Sequence, residues 1–476
     1  MIGFTLDNMN NLLKKINAFV KNKWTYILLA IFLIILFFLP RYFEYKNRFN
    51  SDWDQEKMAY ESKRIIKDHK LTLIGPRANN DRGFFLGPQF TYLIIPFFIF
   101  SNLHPNALVY FLIVYNFVFF LAAFFILKKI FNMIFASFFL LMWGVNDFLI
   151  RGDTSIFVPL IIPLGIILTI FCLYKIYNQR EVKWWLILGL VIGFFANMHF
   201  QFVFIGLFAF VFTILSLKQL KLTYIKVLGF CFSLFLMFSP LLLFDLRHNF
   251  LNSRLFISFF TEKDPNVSRF WFVWFPVFQN FIVPFVFSKI SLIAYLFYFG
   301  VLGILTYLSY QKKAFGKSFY LSFMILWIMF PIFFSIYGKR PSEYYFNFLY
   351  PFIIICLIDF VFTAKQYLLG LLFLSIYLWI NMYTFLPYVT SFGQSFSQKE
   401  QAVLRIKEIT DVKPCDIAFN VPLGRNVGYK YLFEYYNIRQ IGNWKSCVID
   451  LNIPPRIGDE VFGFIGLKIP KLKIVK

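Results

Sequence analysis

Three carboxylates, Asp52, Asp54 and Glu56, stand at alternate positions in the polar run "FNSDWDQEKMAYESKRIIKDHKLTLIGP", just past an apolar stretch that could cross a bilayer. Carboxylates in that pattern can take a proton from a nucleophile, cap a helix or share a cation. Further polar groups recur between apolar blocks. "IRGDTS" carries Arg151 and Asp153, and "NMHFQ" carries His199 and Gln201. "FDLRHNFLNSR" carries Asp245, Arg247, His248 and Arg254, and "GKRPSEYY" carries Lys339, Arg340, Glu343 and Tyr344. Acidic and basic groups gathered on one rim suit a negatively charged ligand, because charge at membrane depth is costly unless paired or wet. Each also has a plainer reading. Asp52 or Asp54 caps the helix that Met58, Ile65 and Ile66 would seat on the membrane. His199 packs between spans, and Arg247 and Lys339 anchor at headgroups.

The elements that must position these groups follow from composition. The 476 residues are 59% hydrophobic, 23% aromatic and only 15% charged, with a mean hydropathy of +0.66. No water-soluble core could hide that much apolar surface, and repeated apolar blocks read as spans of an all-α polytopic membrane protein. The net charge of +23 does not point to nucleic acid, because Lys and Arg fall mostly in short loops between spans.

Those loops give an orientation. Lys14, Lys15, Lys21 and Lys23 precede the span Trp24–Pro40, which predicts a cytoplasmic, amphipathic N-terminus (1–23) and an external first loop over 41–86. The first apolar run has no small-residue cleavage site behind it, so it reads as an anchor. Basic clusters recur at Lys128–Lys129, 175–183, 218–226, 312–317 and Lys365. The blocks 105–127, 131–146, 155–174, 184–198, 200–217, 227–244, 291–309, 318–337, 346–363 and 367–388 then give about eleven spans, with every basic cluster inside. Parity requires that 87–103 and 270–287, which contain Pro and aromatics, be interfacial or re-entrant.

The tail, 391–476, is mixed and polar and predicts a small extracytoplasmic α/β domain. A capping-box pattern at Ser397 and Glu400 opens a helix with Val403, Ile406 and Ile409 on its apolar face. β-type runs follow at Ile417–Val421, Val448–Leu451 and Val461–Ile465, with the aromatic run Tyr429–Tyr436 between the first two. Cys415 and Cys447 lie in this segment, where a disulfide is compatible with an oxidising compartment, while Cys172, Cys231 and Cys356 sit in spans. No HExxH, CxxC, P-loop or GxSxG motif appears.

The first loop continues into "LIGPRANNDRGFFLGPQFTYLIIPFF". This order resembles the first-loop region of GT-C membrane glycosyltransferases, in particular the dolichyl-phosphate-mannose-protein mannosyltransferase and aminoarabinose transferase group (glycosyltransferase family 39-like). The matching residues are Asp54–Gln55, Leu71 to Pro76 and Gly83 to Tyr92, with Gln89-Phe90-Thr91 where the family often has Leu-Tyr-Tyr. "NMHFQ" is similar to the family's His-x-Gln turn, "PLLLFDLRHNFLNSRLF" to its Pro-rich segment, and "EYYFNFLYPFII" to its later Tyr-rich element. The resemblance spans 24–390.

It implies a sugar leaving from a polyprenyl phosphate, with an inverting transfer to a protein, lipid or glycan acceptor on the outer face of the plasma (inner) membrane. Such chemistry needs a base and cations for the departing anion. By the resemblance the base is Asp54, with Asp52 as the near alternative. Arg247, His248, Lys339 and Arg340 are the candidates for donor phosphate. Glu56, Tyr92, Arg151, His199, Gln201, Asp245, Glu343 and Tyr344 are candidates for other substrate contacts. The three carboxylates leave a divalent metal open. Two other readings are a polysaccharide polymerase or O-antigen ligase, whose large loop comes late in the chain, and a lipid-linked glycan flippase, which would show internal repeats and mid-membrane polar groups.

Overall fold

A computed structural model describes residues 23–78, 83–153, 156, 158–261, 273–337, 340–390, 395–412, 414–422, 424–438 and 447–469. Each expected apolar block is a helix. In chain order, with the first-loop helix among them, these are α1 (Lys23–Tyr42), α2 (Trp53–Asp68), α3 (Gln89–Phe100), α4 (Ala107–Ile130), α5 (Met133–Val145), α6 (Ile162–Gln179), α7 (Val182–Met198), α8 (Val203–Leu215) and α9 (Tyr224–Arg247). There follow α10 (Leu251–Thr261), α11 (Ser291–Gln311), α12 (Ala314–Tyr337), α13 (Leu349–Thr363) and α14 (Tyr367–Thr390). Among the described residues six helices are long and apolar enough to cross a bilayer by themselves, and the other apolar ones are shorter. The segment 87–103 forms only α3, whose 12 residues reach roughly 18 Å against a hydrocarbon core of about 30 Å. The described part of 270–287 is broken into helices of 7 and 4 residues, Phe275–Phe281 and Val283–Val286, each begun at a Pro that lacks the N–H a helix interior needs.

Small residues set the closest helix approaches. A Cβ on Gly189 of α7 would lie 2.1 Å from Ser233 Oγ and 2.5 Å from the Phe230 carbonyl of α9, and one on Gly193 would lie 2.6 Å from Met237 Cβ. The Gly189-x-x-x-Gly193 spacing therefore lets α9 lie against α7. The opposite side of α9 exposes Leu228, Phe232, Phe235, Leu242 and Leu246, an apolar surface suited to lipid tails. Buried Arg41 locks α1 to the helices beside it, donating to the Phe37 and Gly144 carbonyls at 2.9 and 2.7 Å and to the Asp153 carboxylate at 2.5 Å.

The tail contains α15 (Phe396–Val412), β1 (Asp416–Asn420), α16 (Lys430–Tyr435), β2 (Val448–Asn452), β3 (Glu460–Phe462) and β4 (Ile465–Lys468), in a sheet ordered β1-β2-β4-β3. The pair β1/β2 is parallel, joined through α16, and the other pairs are antiparallel. The run expected as one strand at Val461–Ile465 is instead a hairpin, because Gly463, with φ of 63°, turns the chain. The cap of α15 is Ser395, whose hydroxyl accepts from Gln398 N at 3.3 Å, in place of the expected Ser397. Glu400 is not part of a capping box: it binds His104 at 2.6 Å and the Tyr436 hydroxyl at 2.7 Å.

Cys415 and Cys447 form a disulfide across the starts of β1 and β2. Closing a loop of 32 residues is worth about 3–4 kcal/mol in the chain-entropy account. Cys415→Ser is expected to make the tail domain, and not the helical body, sensitive to limited proteolysis, with reductant producing the same effect in the wild type.

Candidate active site

Two Gly-Pro turns shape the first loop. Gly75 N donates to the Leu86 carbonyl at 2.7 Å and Leu86 N to the Pro76 carbonyl at 3.0 Å, so "LIGP" and "FLGP" lie side by side. A Cβ on Gly75 would come within 2.2 Å of the Gly87 carbonyl, and one on Gly87 within 2.4 Å of Asn197 Oδ1, which requires glycine at both. Gly87 N donates to the Asn197 carbonyl at 2.8 Å and Gln89 Nε2 to the Met237 carbonyl at 2.8 Å, tying the loop to the end of α7 and the middle of α9. The Tyr92 hydroxyl is a strut in this arrangement. It accepts from Thr72 N at 3.0 Å and donates to Thr72 O at 2.7 Å.

The three first-loop carboxylates differ in what they touch. Asp52 is the N-cap of α2: its own N–H donates to Gln55 Oε1 at 2.8 Å, and its carboxylate accepts from Asn50 and lies 3.5 Å from Lys399 Nζ. Gln55 is buried and donates to the Ile156 carbonyl at 2.5 Å. Glu56 accepts from Gly428 N at 3.2 Å and Tyr431 N at 2.9 Å, so its oxygens hold the start of α16. Asp54, on the first turn of α2, is exposed and accepts no hydrogen bond from the described residues. Its carboxyl is raised above its ordinary value, chiefly because the surrounding protein partly desolvates it even though the residue is open to solvent; the Lys57 ammonium opposes the shift and the Asp52 charge adds to it. Among the described residues no three His, Cys, Asp or Glu side chains converge as a metal-binding set.

A second cluster joins the later motifs. His199 caps the turn after α7, and its Nδ1 accepts from Gln201 N at 3.3 Å. Burial pushes the imidazole down to about 3, so the ring is neutral at physiological pH, with its proton on Nε2. His199 lies against the rings of Tyr344 and Tyr345, at 6.0 and 5.6 Å between centroids. With its amide nitrogen facing them, Gln201 donates to the Tyr344 and Tyr345 carbonyls at 3.0 and 3.1 Å. His199, Gln201 and Tyr345 border a small, partly open recess that is otherwise apolar and mostly aromatic, with Phe84 from the first loop, Phe259 and Phe260 from α10 and Phe333 and Phe334 from α12. Three motifs far apart in sequence thus share one apolar recess.

The junction of α9 and α10 forms the third cluster. Buried Asp245 accepts from Asn252 N at 2.6 Å and from the Ser253 hydroxyl at 2.6 Å, so it caps α10. Asn252 in turn grips Phe85 of the first loop, accepting from its N at 2.6 Å and donating to its carbonyl at 3.1 Å. Arg77 lies 4.7 Å over the Phe85 ring, Phe85 packs on Phe244 at 5.5 Å, and His248 stacks on Phe244 at 4.2 Å. Arg247 and His248 are exposed at this junction. Arg77 and His248 are thus joined through the Phe85 and Phe244 rings on one aromatic ledge, with Arg247 next to His248 in sequence, and Ala78, the residue after Arg77, lines the pocket with Phe84.

Other candidates stand apart. Arg151 is engaged with Asp147 at 2.7 Å and the Thr384 carbonyl at 2.8 Å. Arg340 and Glu343 are exposed just before the Tyr344–Tyr345 turn, and Lys339 lies outside the described residues. Two residues were not singled out in sequence. Arg77 follows "LIGP" directly, which was its signal. Lys399 was legible as a charge on the buried stripe Phe396, Ala402, Val403, Ile406 and Ile409 of α15.

The tail domain sits on the first loop. Phe396 N donates to the Phe49 carbonyl at 2.7 Å, Tyr60 and Lys63 of α2 bind Glu434 at 2.7 and 3.0 Å, and the Tyr431 hydroxyl donates to the Leu103 carbonyl at 2.7 Å. The α2 carboxylates and the tail domain are therefore on one side of the helical body.

No protein-family model and no curated protein matches this sequence. Solved structures do match the fold. ArnT from Cupriavidus metallidurans in the apo state aligns over 90% of this chain and 93% of its own at 12% identity, with a TM-score of 0.54. The apo oligosaccharyltransferase of Archaeoglobus fulgidus aligns over 89% of this chain and 65% of its own at 11% identity, with a TM-score of 0.51.

Proposed function

We propose, from the GT-C fold that this chain has, that it is a membrane glycosyltransferase that moves a sugar from a polyprenyl-phosphate donor to an acceptor at the face carrying α2 and the tail domain. The observation that carries this reading is the division of labour on α2. Asp52 and Glu56 are occupied in holding the loop, while Asp54 is exposed and accepts no hydrogen bond from the described residues. A general base needs that availability and a pKa raised toward the working pH.

In the proposed reaction Asp54 takes the proton of the acceptor nucleophile, whose electron pair attacks the anomeric carbon from the side opposite the phosphate. The anomeric C–O bond breaks, its pair stays on the phosphate, and the configuration inverts. Arg247 and Arg77 supply the charge of the ledge that receives that phosphate, with His248 beside them as a polar contact, and Lys339 and Arg340 are the further candidates from the α12–α13 loop. The aromatic pocket supplies an apolar bed for the prenyl units next to the phosphate. His199 and Gln201 hold the Tyr344–Tyr345 turn that forms its wall. Glu56, Tyr92, Asp245 and Arg151 act by fixing the loop and helix ends. Glu343 and Tyr344, at the rim, are the candidates for sugar hydroxyls. Acceptors of protein, lipid or glycan type all fit this chemistry.

The positive-inside pattern and the Cys415–Cys447 disulfide support an extracytoplasmic active face and tail, with the N-terminus cytoplasmic. Mass spectrometry of lipids retained by the purified protein tests the donor class. A polyprenyl phosphate or phosphosugar is expected, and retention of bulk phospholipid alone, with no displacement by added polyprenyl phosphate, would count against the reading.

A further inference from the structure

Lys399 comes from the tail domain, yet it ends at the turn that starts α2. Its side chain is 1% exposed, and its ammonium donates to the Ser51 carbonyl at 2.7 Å and the Val427 carbonyl at 3.0 Å, with Asp52 Oδ1 at 3.5 Å. These are three acceptors for three N–H bonds. The chain beside Lys399 is equally close: a Cβ on Gly428 would lie 2.2 Å from the Ser51 carbonyl, and the left-handed φ of 85° there favours glycine. Glu56 in turn reaches from α2 to the amides of Gly428 and Tyr431. The start of α2, which bears Asp52 and Asp54, is thus held by residues 427–431 and Lys399, all from the tail.

We propose that the tail domain is a working half of the active site, with Lys399 as a positioning residue that fixes the Ser51–Asp52 turn and engages the Asp52 carboxylate, leaving Asp54 as the available base. This rests on the reading of Asp54 as base. The charged groups that act on Asp52 are Asp54 from α2 and Lys399 from α15; Lys57 acts in turn on Asp54, and Glu56 and Arg425 act on Lys399. A buried ammonium is stable only because these oxygens surround it, since burial otherwise pulls it below its usual range. Removing the cation leaves two neighbouring carboxylates to share protons, so both bind them more tightly.

The test is the pH–rate profile of reconstituted Lys399→Met, with Asp54→Asn and the double variant Lys399→Met/Asp52→Asn beside it. Lys399→Met is expected to lower kcat by about tenfold or more, as for a displaced catalytic group, and to move the acidic limb to higher pH. Asp52→Asn in that background is expected to return the limb to the wild-type position or below, because no second carboxylate remains. A purely structural lysine would lower the rate in proportion to folded protein, with the limb unmoved and no rescue, and that result would overturn the proposal. Should the Met variant fail to insert, Lys399→Gln, which keeps two N–H donors without charge, carries the same comparison. Full activity in Asp54→Asn would instead refute the base reading whatever Lys399 does.

Discussion

Asp54→Asn is expected to lose transfer by roughly a hundredfold or more, the usual range for removing a general base, while binding the donor as the wild type does. The side chain keeps its size and polarity, so the loss isolates the proton transfer. Helix capping does not confuse the result, because Asp52 and not Asp54 is the N-cap of α2. Stability should hold or rise. A carboxyl whose folded pKa is raised favours the folded state least above that pKa, so the penalty is present at neutral pH, absent below the ordinary carboxylate range, and gone altogether in the amide. Wild-type activity should correspondingly fall as pH drops through the raised value. Asp52→Asn keeps a competent cap and should retain most activity; loss in Asp52→Asn with full activity in Asp54→Asn would exchange the two roles.

Arg247→Gln is expected to weaken donor affinity and turnover together, by about ten- to a hundredfold in kcat/KM, the scale of a hydrogen bond to a charged group. The phosphate is an anion before reaction and gains charge on leaving, so one cation serves both states. Arg247 is exposed and makes no ion pair with the described residues, so unfolding should move by less than about 0.5 kcal/mol. Arg77→Gln should act in the same direction and additionally loosen the Phe85 contact. Unchanged donor dependence in both variants would remove the ledge from the site.

Much of this architecture was legible in the residues. The apolar blocks became helices because hydropathy acts locally, and the described part of 270–287 broke into short helices, each with a Pro in its first turn. The fold class was legible too, and the fold comparisons agree with it. Partners distant in sequence were not. Asp52 and Asp54 look alike until Lys399, 347 positions later, claims one of them. Asp245 lies seven residues before the Asn252 amide it binds, beyond any local capping pattern. Tyr92 and Glu56 read as polar groups at a site, and their hydrogen bonds go to the Thr72 backbone and the α16 amides.

The central claim is transfer from a lipid phosphosugar at the face of α2. Its most direct test is to reconstitute wild type and Asp54→Asn in proteoliposomes loaded with a panel of polyprenyl-phosphate sugars and acceptor extracts, following free polyprenyl phosphate by mass spectrometry. The account predicts that the wild type releases polyprenyl phosphate from at least one donor, in step with sugar appearing on an acceptor, and that Asp54→Asn does not. Intact donor crossing between leaflets with no phosphate released, or release unaffected by Asp54→Asn, would contradict it.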